Sequence, residues 1–255
     1  MAARRNELRS SMVTGAPRAK AIRDARSSAE SLRLIRGFER FPARLIEKLA
    51  HGAVLEQVPA KEVLIREGQI PEALFILNEG MLQQFAGLGA HETTFAIIAA
   101  PALIQPHALY RDTAAIASIR TVGVAGVGRI AMPDARRLMD EEPLFAAAVV
   151  SHIVAELEGL FSEYKSARMR SGLQRLAAWI VAMQHHHGAR AQVTLPFDKT
   201  VLAARLGVAP ATLSRDFAEL RRYGVKVCGR ALTVGDPDRL RDLAAVDAFR
   251  IPPAP

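Results

Sequence analysis

From about Phe41 the chain reads "RLIEKLAHGAVLEQVPAKEVLIREGQIPEALFILNEGMLQQFAG", a short helical pattern followed by apolar and polar residues in alternation. Pro59, Gly68, Pro71, Gly80 and Gly87 punctuate it. Alternation places every second side chain on one face of a strand, and turns at regular spacing fold such strands into a small barrel or sandwich. The strand pattern continues through "TTFAIIA" and "TAAIASIRTVGVAGVGRIAM"; "PDARRLM" then opens a helix with Pro133 near its first turn.

The period changes in "EEPLFAAAVVSHIVAELEGLFSEYKSARM". Ala146, Val150, Ile153, Leu157, Leu160 and Tyr164 recur at intervals of 4, 3, 4, 3 and 4, a heptad seam. So narrow a stripe packs on another helix, either in a coiled-coil dimer or within one chain, while Phe145, Val149 and Phe161 widen it toward its own domain. A further helix, "SGLQRLAAWIVAMQHHHG", carries Leu173, Leu176, Ile180 and Met183 and ends at Gly188.

After "VTLPF", Asp198 is placed to cap a short helix "KTVLAARL", Gly207 breaks it, and a second helix starts near Ala209 or Pro210. Gly207 supplies the positive φ of a tight turn, and Ala203 is small where two helices cross. Leu202, Leu206, Val208 and Leu213 supply a shared core. This is a helix-turn-helix, whose second helix enters the DNA major groove with its N-terminal residues toward the bases. Pro210, Ala211, Thr212, Ser214 and Arg215 occupy that face, with Arg215 suited to bidentate bonds with guanine and Thr212 and Ser214 short enough for phosphates or a base edge. Asp216 either steadies Arg215 or points back toward the first helix. "YGVKVCGRALTV" then forms two strands around Gly229, and Asp236 and Pro237 start a last helix. The whole is a winged helix with Lys226 and Arg230 on the wing, facing phosphates. Cys228 beside the turn reads as an ordinary, partly buried thiol.

Charge sharpens this reading. Residues 165–230 hold twelve basic and three acidic side chains, whereas residues 41–164 hold nine and fifteen. A basic block of that density suits a polyanion, because each phosphate neutralised releases counterions. The single cysteine excludes a disulfide framework within the chain and a cysteine-held iron–sulfur cluster. "FAIIAAPALI", the longest apolar run, is too short to span a membrane and is interrupted by Pro101. A soluble, cytoplasmic protein is expected. No Walker-type phosphate loop, paired catalytic carboxylates or nucleophile with an evident base appears, so enzymatic activity is not expected.

In this order, a strand-rich domain, a seam helix and a winged helix resemble the Crp/Fnr family of bacterial transcription regulators. The resemblance covers roughly residues 38–246 and rests on "LIREGQIPEALFILNEGMLQQF", with Arg66-Glu67-Gly68 and Glu79-Gly80, and on the more specific "VLAARLGVAPATLSRDFAELRRYGVKV". Residues 1–35, rich in Arg, Ser and Ala with weak periodicity, read as a mobile arm or a short surface helix that adds little to the fold. The resemblance implies an α+β chain with, after a basic N-terminal extension over 1–37, a jelly-roll-like β-roll effector domain over 38–142, a dimerisation helix over 143–166, a winged helix-turn-helix domain over 167–246 and a tail over 247–255. It also implies a homodimer joined through Val150, Ile153, Leu157, Leu160 and Tyr164, bound to a two-fold symmetric site on double-stranded DNA, with RNA polymerase a further candidate partner.

The departures are as informative. Many members place a base-reading glutamate where this chain has Ala211, which cannot accept a bond from cytosine. Cyclic-nucleotide binders use a Gly-Glu pair and then an Arg-Ser/Thr-Ala run; here "AAPALIQPHALYRDTAAIAS" lacks the pair and inserts Asp112 between Arg111 and Thr113. Cyclic AMP is therefore disfavoured, since an added carboxylate repels the phosphate. His107, Tyr110, Arg111 and Thr113 are the effector candidates, with His107 as a haem ligand and His152 a weaker one. The run His185-His186-His187 reads as a solvated helix end, because adjacent helical residues cannot all face one ion. The alternatives left open are a haem-dependent gas sensor and an effector-independent DNA-binding dimer.

Overall fold

A computed structural model describes residues 25–88, 91–110, 113–186 and 192–244. Two short helices, α1 (Ala25–Arg33) and α2 (Ala43–Gly52), precede eight strands: β1 (Val54–Val58), β2 (Val63–Ile65), β3 (Ala73–Glu79), β4 (Met81–Leu88), β5 (His91–Ala99), β6 (Ala102–Ile104), β7 (Ser118–Thr121) and β8 (Ala125–Ala131). They pair antiparallel as two four-stranded sheets, in the orders β1-β8-β3-β6 and β2-β7-β4-β5. Of the barrel or sandwich that the alternating pattern allowed, the chain forms two packed sheets, as the family resemblance to a β-roll implied. Gly87, expected at a turn, instead pairs with Glu92 inside the β4–β5 ladder.

Strand β3 shows why its sequence is nearly all apolar. Phe75 and Leu77 point between the sheets with Val58, Leu82, Ile119 and Val127, whereas Leu74 and Ile76 point outward under a helical layer. Both faces are buried, so the alternation of apolar and polar residues fades. The covering layer consists of α1, α2, α3 (Met132–Glu141) and the first turns of α4 (Pro143–Met169). Within it Phe38 stacks on Phe41 at 4.4 Å and meets Phe145 at 6.1 Å. Gly37, at φ +90°, lets the chain pass over α4, since a Cβ there would lie 3.0 Å from that of Ala148.

Two sequence expectations need correction. The segment 1–35 was expected to be a mobile arm or a short surface helix adding little to the fold; the helix is present as α1, yet Leu32 and Ile35 are fully buried in this layer. The short amphipathic pattern of α1 was masked by its many Arg and Ser residues. Phe161, expected to face its own domain, is 64% exposed, unlike Phe145 and Val149.

The C-terminal domain comprises α5 (Gly172–His186), β9 (Gln192–Thr194), α6 (Lys199–Leu206), α7 (Pro210–Glu219), β10 (Val225–Cys228), β11 (Ala231–Val234) and α8 (Pro237–Ala244). Its sheet runs β10-β11-β9. A reciprocal capping box opens α5: Gln174 N–H donates to Ser171 Oγ, and Ser171 N–H to Gln174 Oε1. Ser-x-x-Gln in the sequence carried that signal. The expected cap at Asp236 is present, with Arg239 N–H donating to Asp236 Oδ1 at 3.0 Å.

Candidate nucleic-acid interface

The turn of the helix-turn-helix forms for the reason its sequence suggests. Gly207 sits at φ +63°, and its N–H reaches the carbonyls of Ala203 and Ala204 to close α6. A Cβ at Gly207 would meet nothing within 4 Å, so the demand for glycine is conformational and not steric. Pro210 takes the first position of α7, where a missing N–H costs nothing. Leu202, Ala203, Leu206 and Leu213 are buried and Val208 partly so, as expected. Asp198 occupies the N-cap of α6 but makes no side-chain capping bond.

Helix α7 buries Leu213 and Phe217 and turns its other side to solvent. Pro210, Ala211, Ser214 and Arg215 are exposed there, with Thr212 at the margin. Arg215 lies over Thr212, donating to Oγ1 at 3.3 Å, and Ser214 Oγ donates back to the Pro210 carbonyl at 3.1 Å. Asp216 feels the charge of Arg215 but makes no described hydrogen bond or ion pair with it. It faces the start of α5, its Oδ2 3.3 Å from where a Cβ on Gly172 would lie, and burial raises its carboxyl above the usual range against the pull of Arg215 and Arg175.

On the wing, Lys226 is exposed and free of described partners. Arg230 is exposed too, but its Nε donates to the Leu195 carbonyl at 3.0 Å, which holds the wing to β9. Cys228 is exposed rather than partly buried, because it ends β10 with its side chain away from the core. His185 is exposed at the end of α5, while His187 lies outside the described residues. Among the described residues no group of three or more metal-ligating side chains comes together.

Residues 174–243 match the family described as the Crp-like helix-turn-helix domain. The chain carries a Crp-like helix-turn-helix domain. Solved structures extend the likeness to the whole fold, which is that of the Crp/Fnr regulators. A mutant of CooA from Carboxydothermus hydrogenoformans superposes with a TM-score of 0.69 at 16% identity, over 88% of this chain and 98% of that one. The c-di-GMP responsive global regulator CLP of Xanthomonas campestris gives 0.67 at 14%, over 76% and 99%. A regulatory protein from Silicibacter pomeroyi DSS-3, described as cAMP-binding, gives 0.57 at 23%, over 86% and 98%. No curated protein matches in sequence.

The Crp-like domain touches the β-roll in the same chain. Helix α6 packs on β5, and Met81, Ile97 and Val122 lie against its core. Arg205 of α6 ties three elements: it donates to Glu163 of α4 at 2.6 Å and to the Phe95 carbonyl of β5 at 3.3 Å. Beside this junction a cavity of about 340 Å³ opens between β5, β6 and α4.

The effector candidates divide around that cavity. His107, in the single helical turn Pro106–Leu109 after β6, lines it, is half-buried, and is held below the ordinary histidine range by burial. Tyr110 is 71% exposed and Thr113 is exposed; neither lines the cavity. Arg111 lies outside the described residues. His152, the weaker candidate, does line the cavity from α4, joined by Gln105 and Glu156, which the sequence did not single out. Glu156 stands one helical turn beyond His152, a spacing that could have flagged it. Gln105 gives no such signal: its φ of +46° and its burial arise only from folding.

For haem, the lining offers the Nε2 of His107 as an axial donor. The cavity's described cation is Arg205, already bonded to Glu163 and Phe95, while Glu156 and Glu163 are both carboxyl-bearing. Two propionates would find no free counter-charge among the described residues, so this lining does not fit the group.

The seam residues Val150, Leu157, Leu160 and Tyr164 are 48–63% exposed on α4, with Ile153 partly buried. This helix is also the one described element long and apolar enough, by length and composition, to cross a membrane. Its apolar residues form a stripe interrupted by Glu156, Glu158 and Glu163, a pattern that suits a partner helix better than lipid.

Proposed function

We propose that this Crp/Fnr-type transcription regulator binds double-stranded DNA as a cytoplasmic homodimer, with α7 in the major groove and the wing on the backbone. The observation that carries the reading is the N-terminal half of α7: Ala211, Ser214 and Arg215 are exposed on a helix whose opposite side is anchored by Leu213 and Phe217. Arg215 is the base reader, Thr212 and Ser214 meet phosphates or a base edge, and Lys226 and Arg230 meet phosphates. Ala211 offers no hydrogen bond, so the operator differs where related regulators read through a glutamate.

Pairing of two seams on α4 covers its exposed stripe and sets two copies of α7 to face a two-fold symmetric site. The cavity between the roll and α4 is the effector site, and the lack of a free cation among its described lining residues disfavours cyclic AMP. An effector there acts on the junction that Arg205 makes between β5, α4 and the DNA-binding domain.

Mobility shifts on promoter fragments test the reading. Arg215→Ala is expected to weaken operator binding by about 1–3 kcal/mol, roughly 5- to 150-fold, and leave the thermal midpoint unchanged. Operator affinity untouched by that substitution overturns the role of Arg215, and absence of DNA binding overturns the function.

A further inference from the structure

Three residues that line the cavity between β5, β6 and α4 each carry a buried polar atom with no hydrogen-bond partner: Gln105 Oε1, His107 Nε2 and His152 Nε2. They come from three separate segments. Gln105 is 3% exposed, and its amide is oriented by donation from Nε2 to the Ala117 carbonyl at 2.7 Å, which leaves the carbonyl oxygen as the unused end. His152 stands edge-on to Phe38 and bonds the Arg36 backbone through its other nitrogen, so Nε2 keeps its lone pair. Burial holds both imidazoles neutral, the form that has an acceptor to offer.

We infer that this cavity binds a small, largely apolar molecule without negative charge that donates hydrogen bonds to Gln105, His107 and His152. The inference rests on the reading of the cavity as the effector site and adds the chemical class of the effector. The walls supply the apolar part: Ile97, Ile98 and Leu103 inside, with Phe95, Ile116 and Leu160 exposed toward the mouth. A volume of about 340 Å³ is at the small end of ligand pockets. The lack of a free cation supplies the exclusion: Arg205, the one Lys or Arg among the described lining residues, is committed to Glu163 and Phe95. An anion entering the cavity loses hydration and finds no unpaired counter-charge there. Buried acceptors reject an analogue that lacks the matching donor more strongly than apolar walls reject a small change of shape.

Titration calorimetry of the full chain with phenol, anisole and benzoate separates these properties. The three share an aromatic body; anisole lacks the donor and benzoate carries the negative charge. Phenol is expected to bind at least tenfold more tightly than either. His152→Phe keeps the ring against Phe38 and removes one of the three acceptors, and is expected to weaken phenol while leaving anisole unchanged. Anisole or benzoate binding as tightly as phenol overturns the inference, as does no heat from phenol in the millimolar range. The wild-type comparison needs no variant to fold. DNA binding is measured by mobility shift on the same preparation: retained binding without phenol selectivity sinks the ligand class alone, whereas lost DNA binding sinks the reading beneath it.

Discussion

Single side chains decide how this protein's environment is felt. Glu156 keeps part of its surface in solvent, yet partial burial beside His152 pushes its carboxyl up from the ordinary 4.5 to about 7. The folded chain then holds this proton more tightly than the unfolded chain does. Its contribution to stability is intact below pH 4.5 and is lost as pH rises through about 7. Glu156→Gln imitates the protonated form, so it is expected to unfold like the wild type at pH 4.5 and to be more stable at pH 8. With part of the group in water the gain is on the order of 1 kcal/mol. His107, His152, Glu163 and Arg205 also face the cavity, but they are present in both proteins and cancel in the difference. Thermal melts of the two proteins across that range check it; equal midpoints at pH 8 refute it.

At the scale of elements, α1 is the clearest case of a helix whose importance its composition conceals. Leu32, 2% exposed, belongs to the layer shared with Phe38, Leu45 and Phe145. Leu32→Ala leaves a cavity there and is expected to cost about 2–5 kcal/mol, readable by denaturant unfolding. A loss near zero would mean that α1 merely rests on the roll. The helix-turn-helix was the opposite case. Gly207, Pro210, Ala203 and Leu213 stand in the places their residue types demand, because a tight turn between two short helices leaves little choice of backbone angle and contact size.

At the scale of the molecule, the proposed function gives two surfaces partners of opposite kinds. The α4 seam is apolar, and one Leu157→Lys per subunit sets like charges close together in a paired seam. Sedimentation is expected to show that variant shifted from dimer toward monomer, with weaker operator binding because two half-sites are no longer held together. The reading face of α7 lies in the strongly basic stretch 165–230. Operator affinity is therefore expected to fall steeply with salt, and Lys226→Ala to flatten the logarithmic slope by about one. A slope unchanged by that substitution removes Lys226 from the phosphate contacts.

Period and residue type by themselves determined the strand-rich roll, the long seam helix and the winged helix. Each rests on rules local to a few residues: alternation for strands, heptads for α4, and the glycine and proline of a constrained turn. Local rules also brought Arg215 to the exposed edge of α7. They could not tell that Phe161 turns to solvent, that α1 enters the core, or that Tyr110 and Thr113 stand off the cavity while Gln105, His152 and Glu156 line it. Those outcomes depend on packing between segments far apart in sequence. Gln105 and His152 become neighbours of one space only when α4 crosses the roll, and Arg205 becomes a junction only when α6 settles on β5. Burial and an unused hydrogen-bond acceptor are properties of such an arrangement, and no residue carries them in its letter.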